Sequence, residues 1–247
     1  RDQPRSRGLG DVYKRQVRSF ATWDVYYLCE YAVSLKLHGD GEPLLLCFEH
    51  GSERMCYVVM RKDIADDPRF HGLLPAGRLF DLETPYGYGG PLIDAPLSPE
   101  TQRIFMEELR TYCLEQHIVT QFLRYHPLLD NHGVVSPMTE TRYLRDTIYM
   151  DTASPELILA NMDSKNRNMV RKAQRSGVTV REAPMSEYAP FLELYRQTMD
   201  KHSAEEYYTF GTSYFDYLSE HLSDHAFLLY AELEDCLLYT SDAADEL

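Results

Sequence analysis

Leu28, Ala32 and Leu35 recur at helical spacing within Asp24–Leu37, and Gly39 follows as a stop, so a helix is predicted there. Leu44–Phe48 and Arg54–Met60 predict two strands around His50-Gly51-Ser52-Glu53, a hairpin signal. Arg78–Leu82 predicts a third strand, leading into the loop Thr84-Pro85-Tyr86-Gly87-Tyr88-Gly89-Gly90-Pro91. Ser98-Pro99-Glu100 is a helix start, a capping serine followed by proline at the first helical position. That helix carries Phe105, Leu109 and Tyr112 on one face and runs to about Gln116. Ile118–Arg124 predicts a buried strand.

After a polar loop at Asp130–Thr139 the pattern restarts. Thr147–Asp151 predicts a strand, and Ser154-Pro155-Glu156 a second helix start, with Gly177 ending that helix. Val178–Glu182 predicts a strand, and Ser186 caps a helix with Tyr188, Phe191, Leu192, Tyr195 and Met199 on its core face. A short helix over Ser213–Leu222 and a strand over Ala226–Leu233 complete the pattern. Strands alternate with helices in both halves, so the expected class is α/β (α+β) with mixed sheets, divided near Arg145 into two lobes.

Composition changes this picture little. Of 247 residues, 44% are hydrophobic and 26% charged, a globular balance. A net charge of −14 excludes a surface that is basic everywhere, but not a local basic patch. The longest apolar runs, such as Pro43–Phe48, fall well short of the roughly 20 residues that span a bilayer. Cys29, Cys47, Cys56 and Cys113 lie far apart with no CxxC pair, which argues against a zinc site or a disulfide framework. Neither these cysteines nor the nine histidines show metal-ligand spacing, so no metal is expected.

The two ends need separate treatment. Asp11-Val12-Tyr13-Lys14-Arg15-Gln16 can be encoded by GAT GTG TAT AAG AGA CAG. Its reverse complement, read one nucleotide in, encodes Cys-Leu-Leu-Tyr-Thr and the start of Ser, which is Cys236 to Ser241. One DNA segment in opposite orientations accounts for both ends, and it resembles a translated transposase sequencing adapter. The expected organisation is a non-native tail over 1–16, a first lobe over 17–145, a truncated second lobe over 146–235 and a non-native tail over 236–247. The tails are expected to add nothing to the core.

Three features carry candidate chemistry. Ser164–Gly177 holds Lys165, Arg167, Arg171, Lys172 and Arg175 and no acid. At about 100° per residue, Ile158, Met162, Met169 and Ala173 share one side, with Lys165 and Lys172 flanking that stripe. A concentrated basic helix in an acidic chain suggests an anionic partner such as a phosphate; the alternative is a solvated face. The glycines of Tyr86-Gly87-Tyr88-Gly89-Gly90 let backbone approach a ligand closely, and Tyr86 and Tyr88 would point the same way if the loop is extended. It is neither a P-loop nor a dinucleotide fingerprint, and it could equally be a tight turn with packing tyrosines. Arg124 and His126, two apart at a strand end and followed by Asn131, could line a cleft; alternatively they pair locally. No GxSxG motif supports a nucleophilic serine.

Taken in order, Glu83–Leu92, Arg124-Tyr125-His126-Pro127-Leu128, Lys165–Asn168 with Arg171-Lys172-Ala173 and Gly177-Val178, and Phe191–Tyr195 with Thr198-Met199 resemble the Fem-type branch of the GNAT acyltransferase superfamily. The resemblance implies two GNAT-like lobes, each a mixed sheet flanked by helices. It implies transfer of an acyl or aminoacyl group from acyl-CoA or aminoacyl-tRNA, as donor substrates and not tightly bound cofactors, to an amine. That chemistry needs backbone N–H groups at the developing oxyanion and a phosphate-binding turn at a helix N-terminus. The expected partners are an anionic small molecule or cell-wall precursor, and tRNA, but not DNA, in the cytoplasm. In GNAT folds the donor turn follows the strand corresponding to Ala226–Leu233, so this chain by itself is expected to be inactive. A CoA-dependent N-acetyltransferase and a non-catalytic anion-binding module of the same fold stay open as alternatives.

Overall fold

A computed structural model describes residues 6–134, 139–201, 206–234 and 236–237. Residues 1–5 and 238–247 of the expected tails lie outside the described residues. The chain divides into two compact units, Arg1–Tyr143 and Leu144–Leu247.

In the first unit, helix α1 (Ser6–Arg18) precedes a single helical turn at Val25–Tyr27 and helix α2 (Cys29–His38). The expected start at Asp24 moves to Cys29 because Asp24 caps the short turn, and Leu28 is extended before α2 begins. Gly39, at φ +107°, ends α2 as expected. Strands β1 (Glu42–His50) and β2 (Glu53–Asp63) form the antiparallel hairpin, and β2 also pairs with β3 (Phe80–Glu83) and with the short β4 (Leu92–Ile93). After helix α3 (Pro99–Glu115), strand β5 (Ile118–Phe122) pairs parallel to β3. The order β1-β2-β3-β5 is a mixed sheet flanked by helices, consistent with a GNAT-like fold.

Alternation along β2 decides the core. Met55, Tyr57 and Val59 face α3, where they join Phe48, Leu82, Phe105 and Ile118. Phe105 sits edge-on to Phe48 at 5.3 Å between ring centres, and its burial contributes about 1.5–3 kcal/mol. Cys56, Val58 and Met60 are buried towards the other face, where α2 lies against β1 and β2. The start of α3 is tied to the hairpin. Ser98 Oγ accepts from Thr101 N–H at 3.2 Å, and the Glu53 carboxylate accepts from Ser98 N–H at 2.7 Å, Ser98 Oγ at 2.9 Å and the Thr101 hydroxyl. β5 is not the buried strand that its composition suggested. It lies at the sheet edge with Val119 and Phe122 more than half exposed.

The N-terminal stretch does not stand apart as expected. The Tyr13 hydroxyl is buried, which raises its phenol pKa, and Lys14 pairs with Glu30 of α2.

The second unit contains helices α4 (Pro155–Asn161), α5 (Ser164–Arg175), α6 (Ala189–Lys201) and α7 (Thr212–His221). Its sheet is β6 (Thr179–Ala183), β7 (Leu228–Leu233) and β8 (Cys236–Leu237). Among the described residues this sheet is antiparallel throughout, not mixed. Ala183, Met185, Leu228 and Tyr230 form its core, with Phe191, Leu218 and Leu237 packed against them. The strand expected over Thr147–Asp151 is absent, and Ile148 is 98% exposed. The single helix expected from Ser154 to Gly177 is two. Met162 is extended, and the Asp163 carboxylate accepts from Asn166 N–H at 2.8 Å, a capping bond that starts α5 afresh. The apolar stripe from Ile158 to Ala173 is therefore interrupted.

Candidate functional site

The loop after β3 is built by backbone pairing with the segment after β5. Thr84 N–H donates to Phe122 O at 3.1 Å, and Arg124 N–H donates to Thr84 Oγ1 at 3.2 Å. Gly89 N–H donates to Arg124 O at 2.8 Å, and His126 N–H donates back to Gly89 O at 3.0 Å. Gly87 has φ +105°, and a Cβ there would fall 2.3 Å from the Tyr26 ring, so both the backbone and the close approach require glycine. The loop is consequently not extended at its centre, and the alternation expected to align Tyr86 with Tyr88 does not hold. Tyr88 packs edge-on to Tyr26 at 5.8 Å and to His126 at 6.0 Å, while Tyr86 is 41% exposed and its carbonyl accepts from Tyr31 Oη at 2.7 Å.

Asn131 holds this loop from beneath. It is 3% exposed, its Oδ1 accepts from His126 N–H at 3.2 Å, and its Nδ2 faces Tyr27 Oη at 3.1 Å, Gly89 O at 2.9 Å and Pro91 O at 3.2 Å. Burial pushes the Tyr27 phenol well up, against the opposing effect of the Asn131 bond. Burial also raises Tyr26, helped by the Asp24 carboxylate and the neighbouring tyrosines.

His126 and Arg124 separate. His126 is buried and Arg124 exposed, because the chain has left the strand at Phe122 and residues two apart no longer share a face. Both nitrogens of His126 are engaged: Nδ1 accepts from Leu128 N–H at 3.2 Å, which leaves the proton on Nε2 to donate to Asp24 Oδ2 at 3.1 Å. This arrangement orients the ring and closes the aromatic cluster; it does not offer a free imidazole base. Asp24 and Tyr26 are the members that sequence reasoning missed. Asp24 was legible as a cap, but only the fold shows its second oxygen meeting His126.

In the second unit, Lys165, Arg171 and Lys172 are exposed along α5. Asn168, Arg171, Gln174 and Arg175 line one shallow depression, as their spacing on a helix requires. Arg167 turns inward, its Nη1 donating to the carbonyls of Leu159, Ala160 and Met162 at 3.0, 3.1 and 2.7 Å, where it caps α4. Gly177, at φ +87°, ends α5 in a Schellman motif: its N–H donates to Gln174 O at 3.1 Å, and Val178 N–H donates to Ala173 O at 3.1 Å. Among the described residues, no group of His, Cys, Asp or Glu is arranged to hold a metal, and no helix is long and apolar enough to cross a membrane.

Residues 129–236 match the model of the FemAB family. Among solved structures, the crystal structure of FemX is similar, with 13% sequence identity and a TM-score of 0.55 over 94% of this chain and 57% of that chain. This chain thus spans little more than half the length of that structure, and the likeness is one of fold. No curated protein matches the chain. The sequence match to the FemAB family is confined to residues 129–236, and the fold is similar to that of FemX.

Proposed function

We propose that this chain is part of a Fem-like acyltransferase that moves an acyl or aminoacyl group to an amine of a peptidoglycan precursor in the cytoplasm. The single observation that carries the reading is the FemAB match, which takes in the whole of α5. The donor is an aminoacyl-tRNA or an acyl-CoA. Both carry phosphates, and α5 offers Lys165, Arg171 and Lys172 to them, while Arg167 is committed to α4. The Tyr26–Tyr88 cluster around the glycine loop is a second, aromatic surface suited to packing against the acceptor.

The test is a titration of the wild-type chain, Arg171→Ala and Lys172→Ala with tRNA and with a UDP-sugar at two salt concentrations. A direct charge-assisted hydrogen bond contributes about 1.5–3 kcal/mol, so Arg171→Ala should weaken binding by about 10- to 150-fold. With tRNA the slope of log affinity against log salt should become shallower by about 0.7 for each phosphate that the variant no longer neutralises. Equal affinities for all three proteins would leave α5 as a solvated face and refute this role.

A further inference from the structure

Cys47 of β1 and Cys56 of β2, nine residues apart in sequence, lie directly opposite each other across the hairpin. Gly51-Ser52 connects the strands, His50 faces Glu53, and Gly51 has φ +61°, the first central position of a type II′ turn. In such a hairpin the pair flanking the turn exchanges both backbone hydrogen bonds, and bonded and non-bonded pairs alternate from there. Counting back, Glu49↔Arg54 is non-bonded, Phe48↔Met55 bonded and Cys47↔Cys56 non-bonded. Non-bonded pairs bring Cα atoms to about 4.5 Å, with side chains drawn together. That spacing lies within the range of about 4.4–6.8 Å that disulfides occupy. Both thiols are free and in hydrogen-bond contact with each other; Cys47 is exposed and Cys56 buried.

We propose that Cys47 and Cys56 form a redox-active dithiol that a peroxide converts to a disulfide joining β1 to β2. The hydrogen bond from Cys56 lowers the Cys47 thiol below its ordinary range, against the effects of burial and Glu49. The same bond, together with burial, pushes Cys56 up. Cys47 is therefore the attacking sulfur and Cys56 the resolving one. The Cys47 thiolate attacks one peroxide oxygen; the S–O bond forms, the O–O bond breaks, and hydroxide leaves to be protonated to water. The Cys56 sulfur then displaces the hydroxyl of the Cys47 sulfenic acid. The S–S bond forms, the S–O bond breaks, and the hydroxyl departs with the Cys56 proton as a second water. The two thiols lose two electrons, and the peroxide gains them.

Trypsin separates the partners, because cleavage after Lys36, Arg54 and Arg61 places Cys47 in Leu37–Arg54 and Cys56 in Met55–Arg61. The protein is treated with a severalfold molar excess of hydrogen peroxide, alkylated with iodoacetamide, digested without reduction and examined by mass spectrometry. The expected product is these two peptides joined, two hydrogen atoms lighter than their sum and separated again by a thiol reductant. Cys47→Ser, a change at an exposed site, should abolish it. In Cys56→Ala, Cys47 should pass on to the sulfinic acid and no longer be restored by reductant. Wild-type protein that shows Cys47 as sulfinic acid beside alkylated Cys56, or joined to Cys29, Cys113 or a second chain, would overturn the proposal.

Discussion

Replacing Asn131 by alanine should release the glycine loop from its support. The side chain is hydrogen-bonded to Tyr27, Gly89, Pro91 and His126, all within 3.2 Å. Not all of these groups are orphaned by the change. His126 N–H and Gly89 O keep each other at 3.0 Å. The Tyr27 hydroxyl, on a residue with 0% exposure, and the Pro91 carbonyl lose this partner inside the core. Each buried group left unsatisfied costs about 1–3 kcal/mol, so the total is about 3–4 kcal/mol if water re-enters only partly. For a chain of this size, 1 kcal/mol shifts the melting temperature by about 2–4 °C, and the expected fall is about 10 °C. Differential scanning calorimetry measures it, with Asn168→Ala on the exposed face of α5 as a control expected to shift by no more than about 2 °C. A fall at Asn131 no larger than the control's would refute the view that this amide organises the loop.

Gly87→Ala places a Cβ against the Tyr26 ring at a positive φ and should cost about 1–3 kcal/mol; a changed near-ultraviolet tyrosine signal with a lowered melting temperature would check it. Glu53 is held below the usual glutamate range, first by the Thr101 hydroxyl and then by Ser98, so its contribution is present above the unfolded value and lost as pH falls through the lower folded one. Glu53→Gln should flatten the loss of stability just below the ordinary value of about 4.3, and an unchanged acid-unfolding profile would contradict this. Arg167→Ala should cost about 1–2 kcal/mol of stability by freeing the carbonyls that end α4, whereas Arg171→Ala should leave the melting temperature unchanged to within about 2 °C; thermal unfolding of the two variants separates the structural arginine from the exposed one.

The elements legible in the sequence were those whose signals are local. The hairpin turn at His50–Glu53, the Ser98 cap and the Gly177 stop all stand where their residues placed them. What failed depended on neighbours that a periodicity cannot name. Ile118–Phe122 has the composition of a buried strand, but buried strands need partners on both sides and β5 is at an edge. Asp163 looked like one more polar residue inside a long helix, yet its carboxylate caps a new one. In the loop site, Arg124 and His126 were identified by strand alternation that stops two residues too early. Asp24 and Tyr26 were hidden because their partner His126 lies about a hundred residues away in sequence. The cysteine pair is the opposite case: the turn was recognised, and counting three pairs back from it would have joined Cys47 to Cys56.

The central claim is transfer to a peptidoglycan precursor. Its most direct test uses the protein expressed from its complete gene, incubated with a UDP-linked muropeptide and either labelled aminoacyl-tRNA or labelled acetyl-CoA. The expected result is label joined to the muropeptide through a new amide, from one donor and not the other, and diminished by Arg171→Ala. Failure of either donor to label the muropeptide, with the protein folded and both substrates intact, would contradict the account.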